Sequence, residues 1–161
     1  MAGERWLSAD EQRAWRRLGA VMQRLPASLD GQLQRDADLS HFGYWVLAML
    51  SEAPGRSLRM SELASRAHGS QSRLSHLVAG LEGRGWIRRQ RAAEDGRGNV
   101  AVLTEAGYAK IVESAPGHVA QVRKLVFDAL TPAQVDQLDG ICTAILGQLD
   151  AGDDRPGADP C

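Results

Sequence analysis

The sequence predicts a mainly α-helical fold with one small β-hairpin: a helix-turn-helix followed by a hairpin wing, set within a layer of longer helices. Three observations carry this expectation. Apolar residues recur at helical spacing through most of the chain, two short helical stretches between Ser61 and Leu81 are separated by a tight turn at Gly69, and two strand-like runs flank a polar, glycine-rich turn.

The first helix begins at Ser8-Ala9-Asp10-Glu11, a capping-box pattern in which the Ser8 and Glu11 side chains satisfy each other's free backbone N–H groups. Trp15, Leu18, Met22, Leu25, Leu29 and Leu33 then form one apolar stripe. Pro26, which lacks a backbone donor, is expected to kink or interrupt it. Ser40 suits the N-cap of a second helix that carries Phe42, Trp45, Val46, Met49 and Leu50 on one face and ends at Pro54-Gly55.

In the helix-turn-helix, Ser61 is placed to cap a helix over 62–68, Gly69 to take a left-handed turn, and Ser70 to cap the next helix. At 100° per residue, Leu74, Leu77, Val78 and Leu81 share a narrow arc. Ser72 and His76 point the opposite way, flanked by Arg73 and Ser75. Gly83 and Gly85 break that helix, residues 86–91 read as a strand, 94–99 as a turn and 100–103 as a second strand.

Thr104 is placed to cap a helix bearing Tyr108, Ile111 and Val112, and Pro116-Gly117 is expected to kink it before Val119, Val122, Leu125 and Val126. Thr131, Pro132 and Gln134 mark the start of the last helix with an N-cap, a first-turn proline and the far half of a capping box. Along it Val135, Leu138, Cys142, Ile145, Leu146 and Leu149 form an a/d-type seam suited to packing against a neighbour. The Gly- and Pro-containing tail over 151–161 is expected to be disordered.

A chain of 161 residues with 43% apolar and 24% charged residues suits one ordinary domain, and 19 basic against 20 acidic side chains excludes a uniformly basic nucleic-acid binder. The charge is nonetheless divided. Residues 54–98 hold nine arginines (56, 59, 66, 73, 84, 88, 89, 91 and 97) against four acidic residues, a net +5, while the remainder holds 10 basic and 16 acidic residues, a net −6. The arginine fork binds phosphates and guanine edges bidentately, so the middle of the chain is expected to face something anionic.

The charged first residues are unlike a secretory signal, and the longest apolar run, Tyr44 to Leu50, is far short of a membrane span. A cytoplasmic location away from membranes is expected. Cys142 and Cys161 have neither metal-ligand nor disulfide-framework spacing.

A polar helix face placed before a basic hairpin is how a protein presents itself to duplex DNA, with the helix in the major groove and the hairpin along the backbone or in the minor groove. Ser70, Gln71, Ser72, Arg73, Ser75 and His76 are the candidate contacts of the helix, and Arg88, Arg91 and Arg97 those of the hairpin, where they would neutralise phosphates and release counterions. Catalysis finds no support. The histidines at 41, 68, 76 and 118 make no recognised metal spacing, no Gly-rich loop has P-loop form, and no acid–base pair is prescribed, so neither a metal nor a cofactor is expected. The competing reading is a winged-helix module that binds protein or ligand without specific DNA binding; it predicts no salt-dependent duplex binding.

From about Trp15 to Leu149 the chain resembles the MarR family of bacterial winged helix-turn-helix regulators. The most specific match is in the wing, where Asp95-Gly96-Arg97, five residues and then Leu103-Thr104 are similar to that family's D-x-R-x5-L-T signature. Residues 61–64, 74–82, 85–89 and Leu130-Thr131 also follow the family pattern. The resemblance implies a single domain over 1–150, with the winged helix-turn-helix at about 38–104 and dimerisation helices at about 8–35 and 104–150. It implies a homodimer, usually a repressor, on a pseudo-palindromic DNA operator with half-sites about 10 base pairs apart. Residues 71–76 would enter the major groove, Arg97 would meet DNA near the wing tip, and Asp95 would hold the wing by pairing with a basic side chain. The family's effectors are often small aromatic acids or phenols bound between the dimerisation helices and the DNA-binding lobe. Trp15, His41, Tyr44 and Trp45 lie on segments suited to that crevice. No cysteine precedes Cys142, which argues against peroxide sensing, and His41 with His118 is the one pair considered for metal sensing, each read instead as a lone packed or exposed histidine.

Overall fold

A computed structural model describes residues 5–67, 70–91 and 98–153, with side chains to residue 151. Among these residues, six α-helices and three short strands follow in the order α1 (Ala9–Ala37), α2 (His41–Glu52), β1 (Ser57–Arg59), α3 (Met60–Arg66), α4 (Gln71–Gly83), β2 (Ile87–Arg91), β3 (Asn99–Leu103), α5 (Glu105–Leu125) and α6 (Pro132–Asp153). Contacts group the chain into two units, Met1–Gln121 and Val122–Cys161.

In the first unit the capping box of α1 is complete: Glu11 N–H donates to Ser8 Oγ at 3.2 Å and Ser8 N–H to Glu11 Oε2 at 2.7 Å. The helix is continuous through Pro26, contrary to the expected interruption. The bond that proline forfeits would end on the carbonyl of Met22, in an exposed stretch where water can replace it, while Leu29, Leu33 and Ala37 anchor the following turns in the core. The apolar stripe thus has two environments: Leu29 and Leu33 are buried, whereas Trp15 and Met22 are more than half exposed, as is Val21 beside them.

Ser40 caps α2 as expected, its Oγ accepting from Gly43 N–H at 3.0 Å. The buried face of α2 is Gly43, Tyr44, Val46, Leu47 and Leu50, however, and Trp45 is half exposed. Gly43 explains the rotation. A Cβ there would lie 2.9 Å from Leu39 Cδ1, so the closely packed side of α2 is the glycine side and not the side of Phe42 and Trp45.

The three strands form an antiparallel sheet in the order β1-β3-β2, with Leu58 opposite Ala101 and Ile87 opposite Leu103. Strand β1 is an addition to the expected hairpin. It leads straight into α3 at Met60, so Ser61 lies within the helix and does not cap it; Arg59 occupies the N-cap without a capping side-chain bond. Leu33, Val46, Leu47, Leu50, Leu63, Leu74, Val78 and Ile87 are the largest fully buried side chains of the core that joins the helices to the sheet. The Gly69 turn and the hairpin tip at 92–97, which includes Asp95 and Arg97, lie outside the described residues.

Thr104 caps α5 as expected, its hydroxyl accepting from Gly107 N–H at 3.0 Å. Pro116 does not break this helix either; the carbonyl left without a donor belongs to Val112, again an exposed position.

The second unit contains the end of α5 and α6. Thr131 and Gln134 complete the expected capping box, with Gln134 N–H donating to Thr131 Oγ1 at 3.3 Å and Thr131 N–H to Gln134 Oε1 at 2.9 Å. Of the α6 seam, Cys142, Ile145, Leu146 and Leu149 are exposed, as is Ile141 beside them. The helix runs to Asp153, so the tail expected from 151 begins with helical residues. No helix among the described residues is long and apolar enough to cross a membrane.

Candidate nucleic-acid interface

The amphipathic character of α4 sets the geometry of the site. Leu74, Val78 and Leu81 are buried and Leu77 is half-buried, which leaves Gln71, Ser72, Arg73, Ser75 and His76 exposed on the first turns of the helix. Ser70 is exposed as well and fixes the start, its Oγ accepting from Arg73 N–H at 3.2 Å. The structure therefore brings the six sequence-predicted residues of this helix together on one accessible end. Gly80 lies inside the helix, which ends at Gly83 as expected, and a left-handed Gly85 (φ 75°) turns the chain from it into β2.

Arg88 and Arg91 are exposed on β2, while Arg89 on the same strand is held by Glu82 of α4. Glu82 Oε1 accepts from Arg89 N–H at 2.9 Å, and Oε2 accepts from Arg89 Nε at 2.8 Å and lies 2.7 Å from Nη2. These bonds from the Arg89 backbone and side chain hold the Glu82 carboxyl below the usual carboxylate range. The charge pattern identified the arginines but not this pairing, whose only trace in the sequence is an acid and a base seven residues apart across a helix-to-strand turn.

A groove of about 640 Å³ lies beside the start of α4, lined by Pro26, Ala27 and Asp30 of α1, Ser40, His41, Phe42 and Trp45 around the start of α2, and Arg73, His76 and Leu77 of α4. The Arg73 guanidinium sits 4.5 Å from the centroid of the Phe42 ring. His41 and Trp45 thus border the groove, and Phe42 and Arg73 join them. Tyr44 is buried instead, its ring 4.3 Å from that of His118, and Trp15 is exposed on α1 outside the groove lining.

His41 and His118 do meet, with ring centroids 5.6 Å apart. Burial pushes both imidazoles below their ordinary pKa. For His41 the nearby Asp30 charge opposes that shift, while for His118 the His41 charge adds to it. Burial, with the Glu52 charge behind it, raises the Tyr44 phenol. His118 Nδ1 and Gln32 Oε1 are buried without a hydrogen-bond partner among the described residues. Among the described residues no group of three or more His, Cys, Asp or Glu side chains is placed to hold a metal ion.

Comparison with known proteins places this geometry in a family. A model of the MarR family matches residues 44–98, the stretch from α2 to the hairpin. The crystal structure of Sco3205 from Streptomyces coelicolor, a MarR family transcriptional regulator solved in complex with DNA, is 46% identical over 92% of this chain and 93% of its own, with a TM-score of 0.89. This chain belongs to the MarR family of transcriptional regulators. A second MarR family regulator from Streptomyces coelicolor, AbsC, is 38% identical over 92% of this chain and 99% of its own, with a TM-score of 0.87. The transcriptional repressor MprA of Escherichia coli K12 is 30% identical over 107 residues, 66% of this chain. That alignment spans 60% of the length of MprA.

Proposed function

We propose that this MarR protein is a homodimeric repressor that reads a pseudo-palindromic duplex operator with α4 and the hairpin of each copy, and that a small organic effector releases it. The reading assigns a binding role and no catalysis, and places its action in the cytoplasm. The observation that carries it is the exposed polar end of α4, from Ser70 to His76, next to the exposed Arg88 and Arg91 of β2. In a duplex complex the small hydrogen-bonding side chains would meet base edges and the arginines would meet phosphates. Support comes from the similarity to Sco3205, whose structure was solved with DNA, and from the repressor MprA.

On this reading the winged domain spans about 38–104, and the helices at about 8–35 and 104–150 carry the dimer. The exposed apolar residues of α1 (Trp15, Val21, Met22) and of α6 (Ile141, Ile145, Leu146, Leu149) suit a second copy of the chain. The effector would be an aromatic acid or phenol. Phe42 and Trp45 offer it apolar faces in the groove beside α4, and Arg73 and His76 offer donors to an anionic group. By binding one arrangement of the two reading heads better than the other, it would lower affinity for DNA by its differential affinity.

The test is fluorescence anisotropy of the full chain on duplexes from its own promoter region, over a series of salt concentrations and against unrelated competitor DNA. Competitor-resistant binding that weakens steeply with salt is expected, together with a uniform loss of affinity in Arg97→Ala and a changed sequence preference in Ser72→Ala or His76→Ala. A folded dimer that binds no duplex above the level of the competitor would replace this reading with an interaction module.

A further inference from the structure

We propose that Arg84 is a positioning residue that joins the trailing end of α4 to the end of α1 and so fixes the spacing at which two copies of the protein read DNA; the inference rests on the dimeric, DNA-reading function proposed above. Arg84 occupies the C-cap of α4. Its Nη1 donates to the backbone oxygen of Asp38 and lies 3.3 Å from Asp38 Oδ2. Asp38 is itself the C-cap of α1, held in the left-handed region at φ 48° with its N–H returned to Gln34 O and Leu33 O.

The same guanidinium lies 5.0 Å from the centroid of the Trp86 ring, and the Lys110 ammonium of α5 lies 5.7 Å from it. Trp86 is bonded into both neighbouring elements. Its N–H donates to Leu81 O of α4 at 3.0 Å, and its carbonyl accepts from the N–H of Thr104, the residue before α5, at 3.0 Å. Thr104 Oγ1 also donates to Gly85 O at 2.7 Å. Residues 84–86 are therefore the joint at which the end of α4, the end of α1 and the start of α5 come together.

The joint and the reading residues occupy opposite ends of α4. Thirteen helical residues span about 20 Å, so a rotation of roughly 10° at Arg84 would carry the Gln71 end by about 3 Å, the scale of a whole hydrogen bond. The exposed apolar half of α1 belongs to the surface assigned above to the second copy, and its other end is the one Arg84 grips. The distance between two reading heads is thus set through this joint. Arg84 carries one of the nine positive charges of the central segment, but its charge is directed at Asp38.

The experiment starts from duplexes selected by the wild type out of a randomised library, with the two half-sites then moved apart or together by one base pair, a change of roughly 35° in their relative orientation. Anisotropy is measured for wild type, Arg84→Gln and Asp38→Asn at several salt concentrations. An exposed pair of this kind adds little to stability, so both variants are expected to melt close to wild type. The wild-type preference for its selected spacing, about tenfold on the scale of one lost base contact, is expected to fall below about threefold in both variants, with affinity for random-sequence duplex and its salt slope unchanged. Asp38→Asn is the decisive variant, because removing an acidic side chain cannot remove a phosphate contact. A uniform loss of affinity in Arg84→Gln with a salt slope shallower by about one would make Arg84 a phosphate contact and overturn the proposal. Retention of the full spacing preference in both variants would overturn it as well. A wild type that binds duplex with no preferred spacing overturns it together with the two-headed reading beneath it, a result distinguishable from the others because it needs no variant.

Discussion

Glu82, near the end of α4, holds Arg89 of β2 through both its carboxylate oxygens, one on the backbone N–H and the other on the side chain. Helix α4 and the hairpin are therefore linked by side chains as well as by the short turn between them. Since its bonds favour the ionised carboxylate, the link contributes stability above the ordinary carboxylate pKa of about 4.5 and loses it as the pH falls through the lower folded-state value. Glu82→Gln is expected to melt below wild type at pH 7 and to converge with it towards pH 3. Thermal melts across that range check this; a constant gap would show that the carboxylate charge has no part in the link.

The pair of buried His118 and half-buried His41 has the opposite chemistry with the same acid sensitivity. Both imidazoles are favoured neutral in the fold, so stability is complete above their ordinary value of about 6.5 and declines as the pH falls from there towards the lower folded-state pKa. The groups that face the pair are Tyr44 on α2, whose ring packs on His118, and Asp30 on α1, which accepts from the His41 backbone N–H at 2.8 Å. Of these, Asp30 alone opposes the shift, and it acts on His41. His118→Gln is expected to show a shallower loss of stability than wild type between pH 7 and pH 5, measured by denaturant unfolding. An NMR titration of the wild type that placed His118 at or above its ordinary pKa would refute the prediction.

Two glycines make a contrasting pair. A Cβ at Gly107 would overlap the carbonyl oxygen of Trp86 and lie 2.9 Å from its carbon, backbone atoms that cannot swing aside. Gly107→Ala is expected to destabilise the protein by about 2 kcal/mol. Gly80 is exposed within α4 with nothing within 4 Å of such a Cβ. There alanine is expected to stabilise by roughly 0.5–1 kcal/mol, through helix propensity and a less flexible unfolded chain. Equilibrium unfolding of both variants measures the contrast; equal effects would count against the packing described for the start of α5.

Arg88 and Arg91 are expected to act on phosphates. Replacing either with alanine should lower affinity evenly across duplex sequences and reduce the salt slope by about one each. A change in the selected sequence with no change in slope would make them readers of bases.

Most of this architecture was legible in the sequence because its signals are local. The caps at Ser8, Ser40, Ser70 and Thr131 each depend on a side chain three residues or fewer from its partner, and each forms as read. The exposed face of α4 followed from helical angle alone. Strand β1 escaped because three residues carry no periodicity; it exists through pairing with β3, more than 40 residues away. The interruption considered at Pro26 did not occur, for a related reason. A lost hydrogen bond is costly where its carbonyl is buried, and exposure is a property of the fold. Around the site, Phe42 beneath Arg73, Asp38 beside Arg84 and His118 beside His41 are pairings between separate helices, and no spacing in the chain encodes them.

The uneven burial of α1 has a kinetic side. Ahead of Pro26 the helix has little of its own chain to lean on, and an isolated segment of that length with a proline at its end is marginal in water. Its amide protons should exchange with solvent far sooner than those around Leu29 and Leu33, which open only when the core opens. If a second chain covers the exposed half, that protection becomes a function of protein concentration, and dilution alone would loosen one end of a helix whose other end stays locked.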